Sequence, residues 1–183
     1  MLNTPNILSI FRLCLVPVFV VVYFSGLENA GIYSVCVYVV ATLTDFLDGY
    51  IARKYNMITN LGKVLDPLGD KMFTFAVLCC LMIDSKIPLW LVCLFFLKEC
   101  LMGIGGLIIH RLAKTEIPPS NIIGKAATVI FFVFCCIIVV YDGLSPSTAA
   151  LMVGTALAVS CIALISYSRS FIQIVKSREK DAD

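Results

Sequence analysis

Four aspartates, Asp45, Asp48, Asp66 and Asp70, stand close together in a chain that otherwise avoids charge, and they are the residues best placed to do chemistry. Asp45, Asp48, Gly49, Ala52 and Arg53 fall at i, i+3, i+4, i+7 and i+8, the spacing of one helical face. Asp66 and Asp70 stand at i, i+4 and share a face of the next helix. Two such helices facing each other would pool four carboxylates in one pocket, with Gly49, Ala52 and Gly62 leaving room beside them. Like charges so close cannot all stay ionised without a counter-charge. That points to a bound divalent cation. Pairing with Arg53, Lys54, Lys63 and Lys71 is the bland alternative, but such pairs require neither this spacing nor these glycines. Oxygen donors with no histidine nearby favour Mg2+ or Mn2+ over zinc. An ion held this way completes its shell with water and substrate phosphate, and a second ion about 4 Å away would suit in-line attack on a diphosphate.

The elements that must position these carboxylates are membrane helices. The chain has 183 residues, 60% hydrophobic and only 14% charged, with mean hydropathy +0.98. A soluble domain carries about 25% charged residues. The composition therefore predicts an all-α, polytopic helical bundle of about six spans at roughly 20 residues each, forming one integral-membrane domain over residues 1–183. It offers nothing for a nucleic-acid partner. The nine cysteines lie in apolar runs with no C-x-x-C pair, so they read as small apolar side chains rather than zinc ligands or disulfides.

The first span covers residues 6–24, with Asn3, Pro5 and Asn6 as start signals, Arg12 inside it and Pro17 as a kink position. It lacks the leading basic residues and the small-x-small site of a cleaved signal, so it is retained as a span. Span two runs from about residue 32 to 53 or 54 and carries Asp45 and Asp48. A polar loop follows at 55–63. Span three begins near Asp66, with Pro67 in its first turn, and ends near residue 83. Span four covers 88–110, a basic loop 111–120, span five 121–141 and span six 147–174, before a charged, frayed tail at 176–183.

Charge distribution orients the bundle. With the N-terminus inside, the outer turns hold Glu28, Asp84, Lys86 and Asp142, and the other 13 of the 14 Lys and Arg residues lie in inner loops or in helices, mostly near their inner ends. The positive-inside rule then places both termini and the aspartate cluster on the cytoplasmic side. There a soluble cofactor can reach the cluster while lipid tails stay in the bilayer. Trp90, beside Pro88, reads as an anchor at the outer boundary, and the single His110 as interfacial.

The pattern D-x2-D-G-x2-A-R-x8-G-x3-D-x3-D, met here at all eight fixed positions from Asp45 to Asp70, resembles the signature of the CDP-alcohol phosphatidyltransferases. The resemblance implies that family's six-span helical fold in a bacterial cell membrane, two Mg2+ or Mn2+ ions, and commonly a homodimer. Asp45 and Asp66 would bridge the ions, Asp48 would bind one and Asp70 the other. Asp70 would also be the base that takes the acceptor's proton. Gly49, Arg53 and Thr59 would contact the CDP group, with Gly49 and Ala52 allowing close approach and Gly62 a further member of that binding set.

The Thr4-Pro5-Asn6…Arg12 run, Asp45-Phe-Leu-Asp-Gly-Tyr-Ile-Ala-Arg-Lys and Leu65-Asp-Pro-Leu-Gly-Asp-Lys resemble the branch that joins CDP-diacylglycerol to glycerol 3-phosphate. A phosphorylated acceptor needs cations, and Lys98, Arg111 and Lys125 are the candidates. Lys98 and Glu99 lie in mid span four, where ionisable residues flag function or a mutual ion pair. Lys125 resembles the family's acceptor-side lysine or serves as an inner anchor, and Arg111 reads mainly as an anchor. That branch carries R-E-x6-R in span four, whereas this chain has Lys98-Glu99 and Gly106 at the second arginine's position. The departure keeps open the cardiolipin-forming branch, whose acceptor is phosphatidylglycerol. A reading of a different class is a cation transporter using the carboxylates as an ion path. Against it, the acids gather at one membrane face.

Overall fold

The computed structural model describes the backbone of residues 4–54, 62–113 and 122–180, and side chains for 7–48, 50, 54, 69, 71–105 and 124–165. Among the described residues the fold is all-α: α1 (Thr4–Tyr23), α2 (Ala30–Lys54), α3 (Gly62–Ile83), α4 (Leu89–Ala113), α5 (Ile122–Val140) and α6 (Pro146–Lys180). Six helices stand at the six expected spans. Two stretches, Ala30–Asp48 and Pro146–Ile165, are long and apolar enough to cross a membrane, and Ile7–Tyr23, Lys71–Ile83 and Gly124–Val140 are shorter apolar helices. α1 continues through Pro17 to Tyr23.

Three boundaries differ from the sequence expectation. α3 begins at Gly62, so Gly62 and Lys63 are helical and Pro67 sits in the second turn. There Pro67 cannot donate to the carbonyl of Lys63. Val64 and Leu65 before it and Leu68 after it continue the apolar period, which carries the helix across that missing bond. α4 runs to Ala113, which places Arg111 in its last turn instead of in a loop. α6 continues to Lys180 because Lys176, Arg178, Glu179 and Lys180 are good helix formers, and basic residues suit a helix C-terminus.

The chain forms two compact units: residues 1–86 with 136–144, and residues 87–135 with 145–183. In the first, α1, α2 and α3 enclose an aromatic core. Phe19 meets Phe73 edge-on at 5.5 Å between centroids and Tyr38 at 6.2 Å, while Tyr38 and Phe73 stack at 5.2 Å. Ala41, Val77, Leu78 and Leu81 complete this core. The end of α5 belongs to the same unit and packs so closely that a Cβ on Gly31 of α2 would lie 2.7 Å from the Val139 carbonyl oxygen. In the second unit Phe95 of α4 stacks on Phe131 of α5 at 5.3 Å. There α6 contributes Val153, Ala156 and Leu157 to the core, and Gly154 faces Leu91.

The turns carry the signals that end and start these helices. At the end of α3, Ser85 N–H donates to Met82 O at 2.9 Å and Lys86 N–H to Leu81 O at 2.9 Å. Ser85 takes the left-handed conformation, φ +58°, that this cap requires and that glycine usually supplies. Ser145 caps α6 by accepting the Thr148 N–H at 3.2 Å, and Pro146 occupies the first helical position.

Candidate functional site

α2 carries Asp45 and Asp48 one turn apart on the face that its helical period also gives to Ser34, Tyr38 and Ala41. Ser34, Tyr38, Ala41 and Asp48 are buried, so this face packs inward against α1. The residue opposite is Arg12 of α1, itself only 2% exposed. Its Nη1 lies 2.5 Å from Asp45 Oδ1, and its Nη2 donates to Asp48 Oδ2 at 2.5 Å. One guanidinium thus spans two carboxylates, using its planar fork to give each a separate nitrogen. Asp48 is 2% exposed, whereas the Asp45 side chain is 40% exposed. The pair therefore presents one carboxylate sealed inside and one open to a visitor.

α3 closes over the same guanidinium. Gly69 is buried there, and a Cβ on it would stand 3.5 Å from Arg12 Nη1 and 3.7 Å from Cδ. A larger side chain at 69 would press on Arg12. Gly69 immediately precedes Asp70, so three helices meet at this cation beside the last motif aspartate.

Arg12 is the contributor that sequence reasoning placed only as a charge within span one and as part of an N-terminal resemblance. The signal that could have found it is the cost of a cation among apolar residues, which demands a partner of opposite charge. The counter-charge shown for Asp45 and Asp48 comes from Arg12 of α1; the side chains of Arg53 and Lys63, two cations of the bland alternative, lie outside the described residues. Lys54 stands over the Tyr50 ring at 5.5 Å.

The side chains of Asp66, Asp70, Ala52 and Arg53 lie outside the described residues, as does Thr59 altogether. Gly49 is placed within α2, and Gly62 opens α3. Among the described residues, no three His, Cys, Asp or Glu side chains converge as a metal cage. What is described fits a hard divalent cation nonetheless. Asp45 and Asp48 are oxygen donors one turn apart, one of them accessible, and Mg2+ is commonly held by one or two carboxylates with water and substrate phosphates supplying the rest.

The acceptor candidates lie in the second unit. Lys98 Nζ is 2.5 Å from Glu99 Oε1, both side chains 14% exposed, and sits 5.7 Å from the Phe95 ring centre. Lys98 is thus held in a neighbouring ion pair. Lys125 is exposed in the first turn of α5, and the Arg111 side chain falls outside the described ones.

A family model described as CDP-alcohol phosphatidyltransferase matches residues 2–165. Among curated proteins, a CDP-diacylglycerol–glycerol-3-phosphate 3-phosphatidyltransferase of Aquifex aeolicus is 40% identical over 129 residues, 69% of this chain and 70% of that protein. One of the same name from Bacillus subtilis is 31% identical over 140 residues, 70% of this chain and 72% of that protein. A cardiolipin synthase (CMP-forming) of Streptomyces coelicolor is 34% identical over 131 residues, 69% of this chain and 60% of that protein. A CDP-diacylglycerol–glycerol-3-phosphate 3-phosphatidyltransferase of Rickettsia bellii aligns over 66% of each chain, so the matches span about two thirds of the relatives' length.

Proposed function

The chain belongs to the CDP-alcohol phosphatidyltransferase family, and on that footing we propose that it transfers a phosphatidyl group from CDP-diacylglycerol to glycerol 3-phosphate. The observation that carries this reading is the complete aspartate motif, with Asp45 and Asp48 gathered on the inward face of α2. Relatives that carry the name of this reaction at 31–40% identity support the choice of acceptor.

Asp45, Asp48, Asp66 and Asp70 would hold Mg2+ or Mn2+, two ions in all. Bound there, such ions supply positive charge against the diphosphate. Asp70 accepts the proton of the acceptor hydroxyl. The hydroxyl oxygen forms a bond to the phosphatidyl phosphorus, the phosphorus–oxygen bond to CMP breaks, and CMP leaves with the electron pair. Arg53 supplies a fixed donor fork to the CDP group. Gly49, Ala52 and Gly62 leave the nucleotide room, with Thr59 as a further contact.

We place the protein in a bacterial cell membrane as a six-span bundle with its termini and motif on the cytoplasmic side. Large apolar side chains exposed on the described helices, among them Val21, Phe46, Trp90, Val129 and Leu151, suit lipid contact better than water. The six-span fold and a homodimer follow the family resemblance.

The test is CMP release by purified protein supplied with CDP-diacylglycerol and Mg2+ or Mn2+. Release that requires glycerol 3-phosphate supports the proposal. Gly106, where that branch carries arginine, and the pairing of Lys98 with Glu99 favour one second reading, phosphatidylglycerol as acceptor. Release with phosphatidylglycerol alone would establish it. Ion flux in liposomes without CMP release would mark a transporter instead.

A further inference from the structure

We infer that Arg12 is a positioning residue of this site, a buried strap that sets the direction in which Asp45 and Asp48 present their oxygens; the inference rests on those aspartates being cation ligands, as proposed above. The geometry is specific. Nη1 engages Oδ1 of Asp45 and Nη2 engages Oδ2 of Asp48, each at 2.5 Å, so one oxygen of each carboxylate is fixed by a separate arm of the fork. Fixing one oxygen fixes the direction of the second. The rigid guanidinium sets the spacing between the two carboxylates as well, which a point charge on a flexible stem cannot do. Arg12 is itself immobilised, 2% exposed and covered from α3 by Gly69.

Charge is the second part of the assignment. Two carboxylates one turn apart repel each other, and the repulsion would splay them before any cation arrived. Arg12 offsets one of the two charges from behind, leaving this trio at net −1 toward an incoming cation. It thereby holds the α2 carboxylates assembled without taking part in bond making. Groups that orient ligands in this way alter metal affinity or activity by about 10- to 100-fold when replaced.

The experiment uses the full chain in detergent, comparing wild type with Arg12→Lys, Asp45→Asn and Asp48→Asn. Mn2+ binding is read by the loss of the free-ion electron paramagnetic resonance signal, beside the metal-free melting temperature and the kcat and KM for CMP release. Arg12→Lys keeps the charge but not the two-armed fork. It is expected to weaken Mn2+ binding by about 10- to 100-fold and to lower kcat by a similar factor. Wild-type Mn2+ affinity in Arg12→Lys, with both Asn variants deficient, overturns the positioning role alone. Undiminished Mn2+ binding in the two Asn variants overturns the cation-site reading and this inference with it. Should Arg12→Lys fail to fold, Gly69→Val tests the same point by crowding the guanidinium from α3 while leaving every charge in place. It too should lose Mn2+ affinity, and a wild-type value there overturns the inference.

Discussion

A buried ion pair and an exposed one differ most when a single partner is removed, and Asp48 and Asp45 offer that contrast on one cation. Asp48→Ala takes away a fully enclosed carboxylate and leaves charge on a guanidinium that water cannot reach. The expected cost is about 3–5 kcal/mol of stability. Asp45 is 40% exposed, so solvent already screens its contact and Asp45→Ala should cost clearly less. Thermal melts of the two metal-free variants check the ranking, and an equal or reversed order would contradict the burial described for Asp48. A second residue-scale expectation concerns the acceptor. Lys98 is held by Glu99, which leaves exposed Lys125 as the better placed candidate for a mobile phosphate. Lys125→Gln should raise KM for glycerol 3-phosphate about tenfold with kcat little changed, as expected for loss of a charge-assisted bond made equally in ground and transition states. An unchanged KM in steady-state CMP release would leave Lys125 as a membrane anchor.

Helix ends and close approaches decide how well the elements hold these side chains in register. Ser85 adopts φ +58° without glycine's freedom, because both cap bonds from Ser85 and Lys86 require that conformation. Ser85→Gly should therefore stabilise the chain by about 1 kcal/mol. Gly31 is the opposite case, since a Cβ there would collide with the backbone oxygen of Val139. Gly31→Ala should destabilise by about 1–3 kcal/mol as α2 is pushed from the end of α5, and the same melting assay reads both variants. Apolar period and turn residues made all six helices legible in the sequence, because a helix start such as Ser145-Pro146 is written in local chemistry. The start of α3 was not, since Pro67 is a usual first-turn residue and local preference could not show the helix reaching back to Gly62. That Asp45 and Asp48 share one face of α2 was legible from their i, i+3 spacing. Their partner was not: Arg12 lies 33 residues before Asp45, and only packing of α1 on α2 brings the two together.

For the molecule as a whole, function depends on which face of the membrane the aspartates meet. Thirteen of the 14 basic residues lie in the expected inner loops or within helices, mostly near their inner ends, and the remaining one is Lys86. That lysine is not an open positive charge. It contacts Asp142 at 2.7 Å and Asp84 at 3.4 Å, while Tyr23 donates to Asp84 at 2.9 Å. Orientation is set by the Lys and Arg count, in which Lys86 is the one cation of the expected outer turns. In the proposed orientation the motif end would face the cytoplasm, the side on which a soluble acceptor such as glycerol 3-phosphate could reach it. Cysteines introduced singly at Glu28, Gly143, Lys54 and Lys180, in a chain whose nine native cysteines are replaced by alanine, test this directly. A membrane-impermeant thiol reagent applied to intact cells should label positions 28 and 143, and should reach 54 and 180 only after permeabilisation. Labelling in the reverse pattern would put Asp45 and Asp48 at the outer surface, away from the soluble acceptor, and the proposed transfer could not run as described.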